Sequence, residues 1–80
     1  MLSVSVYYFA ILREQRGLGQ ETLSTSAMTP AALYEELRSL HGFTLPSERV
    51  RAAVNDTFVL STTALREGDR IVFIPPVAGG

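Results

Sequence analysis

Polar and apolar positions alternate through Ser3-Val4-Ser5-Val6-Tyr7-Tyr8-Phe9, the two-residue period of a strand with one buried face. Val4, Val6 and Tyr8 form the inward set. Ser3, Ser5, Tyr7 and Phe9 take the other face, which therefore turns aromatic toward the end of the strand and leaves Phe9 exposed. Ala10 to Arg16 fits a short helical turn, and Gly17-Leu18-Gly19 suits a reversal. Glu21 to Ser24 then reads as a short strand pairing back on the first.

The pattern next changes to a helical period. Thr29 is placed as N-cap, Pro30 opens the helix, and Met28 is positioned to staple onto Leu33. Leu33, Leu37 and Leu40 recur at i, i+4 and i+7 as one apolar stripe, with Glu35, Glu36 and Arg38 expected in water. Gly42 supplies the left-handed residue after the last turn, and Phe43 folds back onto it, which predicts a helix over Pro30 to His41.

Beyond Pro46, Ala52-Ala53-Val54 and Thr57-Phe58-Val59-Leu60 flank Asn55-Asp56, a pair that tolerates the positive φ of a tight hairpin. Leu65 to Asp69 is again turn chemistry. Arg70 leads into Ile71-Val72-Phe73-Ile74, whose unbroken apolar run belongs in the centre of a sheet. The expected order is ββαβββ, an α+β fold. Pro75-Pro76-Val77-Ala78-Gly79-Gly80 cannot extend a ladder, because two residues lack donors and two lack side chains. We expect a folded domain over residues 1–74 and a flexible tail over 75–80, stiff at its root and thin at its tip.

Composition narrows the chemistry. Eighty residues, 46% of them hydrophobic and none a cysteine, leave room for one domain held by its core alone. Seven Arg balance eight acidic residues for a net charge of −1, without a basic block, so nucleic acid is not an expected ligand. The longest apolar stretch, Val6 to Leu12, falls far short of the ~20 residues of a bilayer span. No basic segment precedes it as in a signal peptide, so no membrane partner and a cytoplasmic location are expected. Every Lys/Arg position is Arg; the chain has no lysine.

A self-sufficient active site is not in evidence. His41 is the only histidine and lies at a helix C-terminus, where the dipole favours its charged form as a cap. Glu35 and Glu36 point to different sides of a helix, while Asp56, Glu67 and Asp69 belong to turns. Gly17-Leu18-Gly19 lacks phosphate-loop spacing. What remains is the Gly79-Gly80 tip, slender enough to thread a narrow channel in another protein. Its carboxylate, ionised at neutral pH, requires activation before any acyl transfer.

The element order with a Gly-Gly end resembles the ubiquitin-like β-grasp proteins, and among them the small sulfur-carrier subunits of molybdopterin synthase. The resemblance rests on Tyr8-Phe9-Ala10-Ile11-Leu12-Arg13-Glu14, Ala53-Val54-Asn55-Asp56-Thr57, Leu65-Arg66-Glu67-Gly68-Asp69 and Phe73-Ile74-Pro75-Pro76-Val77-Ala78-Gly79-Gly80. It implies a mixed four- or five-stranded sheet packed on one main helix, with a protruding Gly-Gly tail. It further implies that an adenylating enzyme, using ATP, activates the Gly80 carboxylate, and that a sulfurtransferase supplies the sulfur of a thiocarboxylate. That group, inserted with Gly79 into the synthase large subunit, donates sulfur to cyclic pyranopterin monophosphate in molybdenum cofactor biosynthesis. The carrier itself binds no cofactor. The partner-facing positions implied are Phe9, Phe58, Ile74, Pro75, Pro76, Val77 and Ala78, with core packing the competing role for the first three. A ubiquitin-like protein modifier, or a carrier for tRNA thiolation or thiamine synthesis, uses the same terminus.

Overall fold

β1 (Leu2–Tyr8) and β2 (Gln20–Thr25) form an antiparallel hairpin in which Val4 faces Leu23 and Val6 faces Glu21. Between them lies α1 (Ala10–Arg16), and after them α2 (Pro30–His41), a 3-10 turn over Ser47–Arg49, then β3 (Arg51–Val54), β4 (Thr57–Val59) and β5 (Arg70–Ile74). These come from a computed structural model, which describes residues 1–76. The five strands lie in the order β2-β1-β5-β3-β4. β5, the most apolar strand, is central, with β1 parallel on one side and β3 antiparallel on the other. The first and last strands are thus neighbours, which makes the sheet mixed. The β3–β4 turn places Asn55 and Asp56 both at positive φ, the conformation a two-residue type I′ hairpin requires. The Asn55 side chain also donates to Asp69 and accepts from the Arg70 N–H, tying that turn to the start of β5.

One face of the sheet is covered. Val4, Val6, Tyr8, Ile71, Phe73 and Ala52 point at α2, which returns Leu33, Tyr34 and Leu37, while Leu12 of α1 and Phe43 close the core's end. Tyr34 lies edge-on to Phe73 at 5.3 Å and stacks on Phe43 at 5.8 Å. α2 begins as its sequence predicts, with the Thr29 hydroxyl accepting from the Ala32 N–H, and ends at Gly42 with φ 71°. The Ala31 N–H, another first-turn donor, is satisfied by the Ser61 carbonyl.

Four details depart from the expected helix. Leu40 is 69% exposed, because the buried stripe of α2 runs through Leu33, Tyr34 and Leu37 instead. Met28 is exposed; its carbonyl accepts from the Leu65 N–H, and Ala27 is the buried residue before the helix. Glu36 is half-buried and accepts a hydrogen bond from the Thr25 hydroxyl. Burial first, and the nearby Arg16 second, push the His41 pKa down, opposite to the direction expected from the dipole.

Behind α1 a polar cluster takes the place of apolar packing. Arg16 grips both carboxylate oxygens of Glu21 at 2.8 Å, and the buried Tyr8 hydroxyl donates to the same carboxylate at 2.6 Å. The Arg16 guanidinium holds the Glu21 carboxyl down at about 2, against the opposing effect of burial, while burial and that carboxylate push the Tyr8 phenol far above its ordinary range. A carboxylate depressed in the folded state stabilises it fully above the unfolded pKa and loses that contribution as pH falls toward the folded one. Glu21→Gln is therefore expected to lower the melting temperature most near neutral pH. The gap to wild type should close between roughly pH 4.5 and pH 2, and a pH series of thermal melts on both proteins measures it.

Candidate functional site: the open sheet face and the root of the tail

Strand alternation sends the remaining side chains to the uncovered face. Pairing aligns Tyr7 with Val72, Val72 with Ala53, and Ala53 with Phe58, so one row of apolar side chains crosses four strands. Ala53 is small and covered, and the larger neighbours stand over it: Phe58 is 58% exposed. Beyond the end of β1, Phe9 continues the same parity and is 51% exposed. Neither ring belongs to the core. Exposed aromatic rings on one face give it an apolar patch.

At one end this face deepens into an open cleft of about 470 Å³, lined by Phe9, Ala10, Ile11, Leu45, Ile74, Pro75 and Pro76. Two elements build it. The chain turns sharply from β1 into α1 at Phe9, whose carbonyl accepts from the Leu12 and Arg13 N–H groups. That turn holds Ala10 at φ 50°, the left-handed region where a residue with a Cβ is strained by about 1 to 2 kcal/mol. Strain of that size persists because Leu12 is anchored in the core and the Arg16–Glu21 pair fixes the far end of α1. The second element is β5, which delivers Ile74, then Pro75, to the same spot.

The structure therefore brings Phe9, Ile74, Pro75 and Pro76 together in one cleft. Phe58 is on the same face but two strands from β5, outside the cleft. Ile74 is half-buried, and Pro75, placed at the start of the tail by its sequence, is buried. Val77, Ala78, Gly79 and Gly80 lie outside the described residues. Ile11 and Leu45 also line the cleft. Tyr7 and Val72 on the face are legible from strand alternation, whereas Leu45 arrives from the loop after α2 and carries no local signal.

Charge is sparse on this face. Its charged strand positions are Arg51 and Arg70, and Arg70 pairs with Asp56 at 2.8 Å. Among the described residues no three His, Asp or Glu side chains gather as a metal site. The buried carboxylate of Asp69 is occupied in its own turn, accepting from the Arg66 N–H and from Asn55. No helix among the described residues is long and apolar enough to cross a membrane.

Comparison with known proteins gives a consistent picture. Residues 6–80 match the ThiS family. The chain is 31% identical to the molybdopterin synthase sulfur carrier subunit of Escherichia coli (strain K12), over 96% of this chain and 99% of that one. Its fold is similar to that of SAMP1 from Haloferax volcanii, with a TM-score of 0.77 at 22% identity, covering 98% of this chain and 99% of that one. It is also similar to a chain in the protein–protein complex of subunits 1 and 2 of the molybdopterin-converting factor from Helicobacter pylori 26695. There the TM-score is 0.67 at 25% identity, over 99% of this chain and all of that one.

The division between covered and open faces has a direct test in stability. Phe73→Ala empties the packed core and is expected to cost about 3 to 5 kcal/mol. Phe58→Ala removes a water-exposed ring and should stay within about 1 kcal/mol of wild type. Chemical denaturation of both variants checks the contrast.

Proposed function

The chain belongs to the ThiS family, and we propose that within it this protein is the sulfur carrier of a molybdopterin synthase. The observation that carries the reading is the position of the tail root. A central strand ends in Ile74-Pro75-Pro76 beside an exposed apolar cleft, four residues before Gly80. A body docked by that face delivers the Gly-Gly tip into its partner, and the near full-length identity to a curated carrier subunit supports the same role.

In this reading the body docks and the terminus reacts. An adenylating enzyme joins the Gly80 carboxylate to the AMP portion of ATP, releasing pyrophosphate. A sulfurtransferase persulfide then displaces AMP to give an acyl disulfide, and a thiol reductant cleaves its S–S bond, so that Gly80 carries a thiocarboxylate. Within the large subunit two such carriers in turn surrender sulfur to cyclic pyranopterin monophosphate, building its dithiolene. Gly79 and Gly80 carry no side chain to block a narrow channel, while Pro75 and Pro76 restrict the backbone where it leaves the sheet. The carrier binds no cofactor itself and contributes no acid, base or metal, so those catalytic groups belong to the partner. It works in the cytoplasm, where ATP and the activating enzyme are found.

Protein isolated from its own cells is expected to include a form about 16 Da heavier, localised to the C-terminal peptide to separate it from oxidation. Deleting Gly80 should remove that form and abolish molybdopterin formation in a reconstituted assay, with the thermal melt unchanged. Product formation by the Gly80-deleted chain refutes the carrier reading, and Gly80 joined to lysines of many cellular proteins points to a modifier instead.

Docking is tested separately. Phe58→Arg is expected to weaken binding to the synthase large subunit by a few kcal/mol, as for an aromatic anchor buried on association. Calorimetric titration measures this, and a melt confirms that the fold is kept.

A further inference from the structure

The seven arginines do not serve alike. Arg16, Arg38 and Arg70 are each within reach of a carboxylate on this chain. Arg13 lies along Gly19, and Arg49 and Arg66 sit in turns away from the strands. Arg51 differs from all of them. It stands on the open sheet face, directly across from Ile74 in the β3–β5 register, and its guanidinium carbon lies 4.8 Å from the centre of the Phe58 ring. It is exposed, and among the described residues no carboxylate pairs with it. Arg51 therefore joins the apolar row at Phe58 to the strand end from which the tail departs.

A cation in that position is held ready. Contact with the ring limits the freedom of a long side chain, and no side chain among the described residues accepts from its N–H donors. Covering Phe58 with an apolar partner surface also strips water from the adjacent guanidinium, an outcome that is costly unless the partner supplies an anion. The only other charge on the strands of this face, Arg70, is already neutralised by Asp56.

Building on the carrier reading, we propose that Arg51 is a specificity-determining residue of the docking face. Its occupant is a carboxylate side chain of the synthase large subunit, set among apolar residues and received by the Arg51–Phe58 pair. Apolar burial supplies the contact area, and the charge pair selects the partner and fixes the register in which the tail root meets it.

Binding of the full chain to the large subunit, measured by calorimetry at about 50 mM and about 500 mM NaCl, tests this. Arg51→Gln is expected to weaken binding about tenfold at low salt and much less at high salt, flattening the salt dependence, with an unchanged melt. Arg51→Lys keeps the charge but not the planar fork, and should recover less than half of the loss on a logarithmic scale. Unchanged affinity and salt dependence in Arg51→Gln overturn the proposal, and wild-type affinity in Arg51→Lys overturns the ring-held, two-point form of it. Failure of wild type to bind the large subunit removes the carrier reading and this inference together. Wild-type binding that is insensitive to Arg51 removes only the inference.

Discussion

The parallel pairing of β1 with β5 is the constraint on which the remaining features rest. Tyr8 is opposite Phe73 in that register, so the two strands end side by side and the chain leaves β5 next to the turn at Phe9. With antiparallel pairing the tail would leave from the opposite edge, beside Leu2. Parallel neighbours need a long crossover, and β2, α2, β3 and β4 all lie within it. The helix that covers one face of the sheet is therefore part of the connection that brings the two termini of the sheet together.

Once the central pair is set, alternation assigns each side chain to one of two duties. The inward set is apolar and packs on α2, so this cysteine-free body is held by its core without a disulfide. The outward set has no covering element among the described residues and keeps Tyr7, Phe9, Val72, Ile74 and Phe58 on an open face beside Arg51 and Arg70. In the proposed carrier reading, a docking face on regular strands with the tail root at its rim couples docking to delivery: seating the face determines where the terminus can reach. This division also explains the absence of catalytic pairs among the described residues. The half-buried Glu21 and the buried Asp69 are consumed in holding α1 and the Leu65–Asp69 turn.

Local signals made much of this legible. Two-residue alternation in Ser3–Phe9, the Thr29–Pro30 start and Gly42 stop, the Asn55–Asp56 pair and the apolar run at Ile71–Ile74 each fix an element through contacts within a few residues. The exposure of Phe9 followed from parity alone. The helical period alone does not choose the buried face: Leu40 obeys the spacing yet is exposed, and Tyr34 is buried instead. Met28 and Glu36 went astray for the same reason, since their surroundings come from the Leu65 segment and from Thr25 on β2.

By itself, the sequence determined the strands and main helix, their order and the outward parity of Phe9. These depend on period, capping and turn geometry, all of which act over short separations. The tertiary structure alone decided that β1 and β5 are neighbours, that Leu45 joins Phe9 and Ile74 in one cleft, that Arg16 and Tyr8 share the Glu21 carboxylate, and that Arg51 comes to rest on Phe58. Each of these joins residues that no local period relates. Their meeting is settled by which faces the whole chain can bury at once.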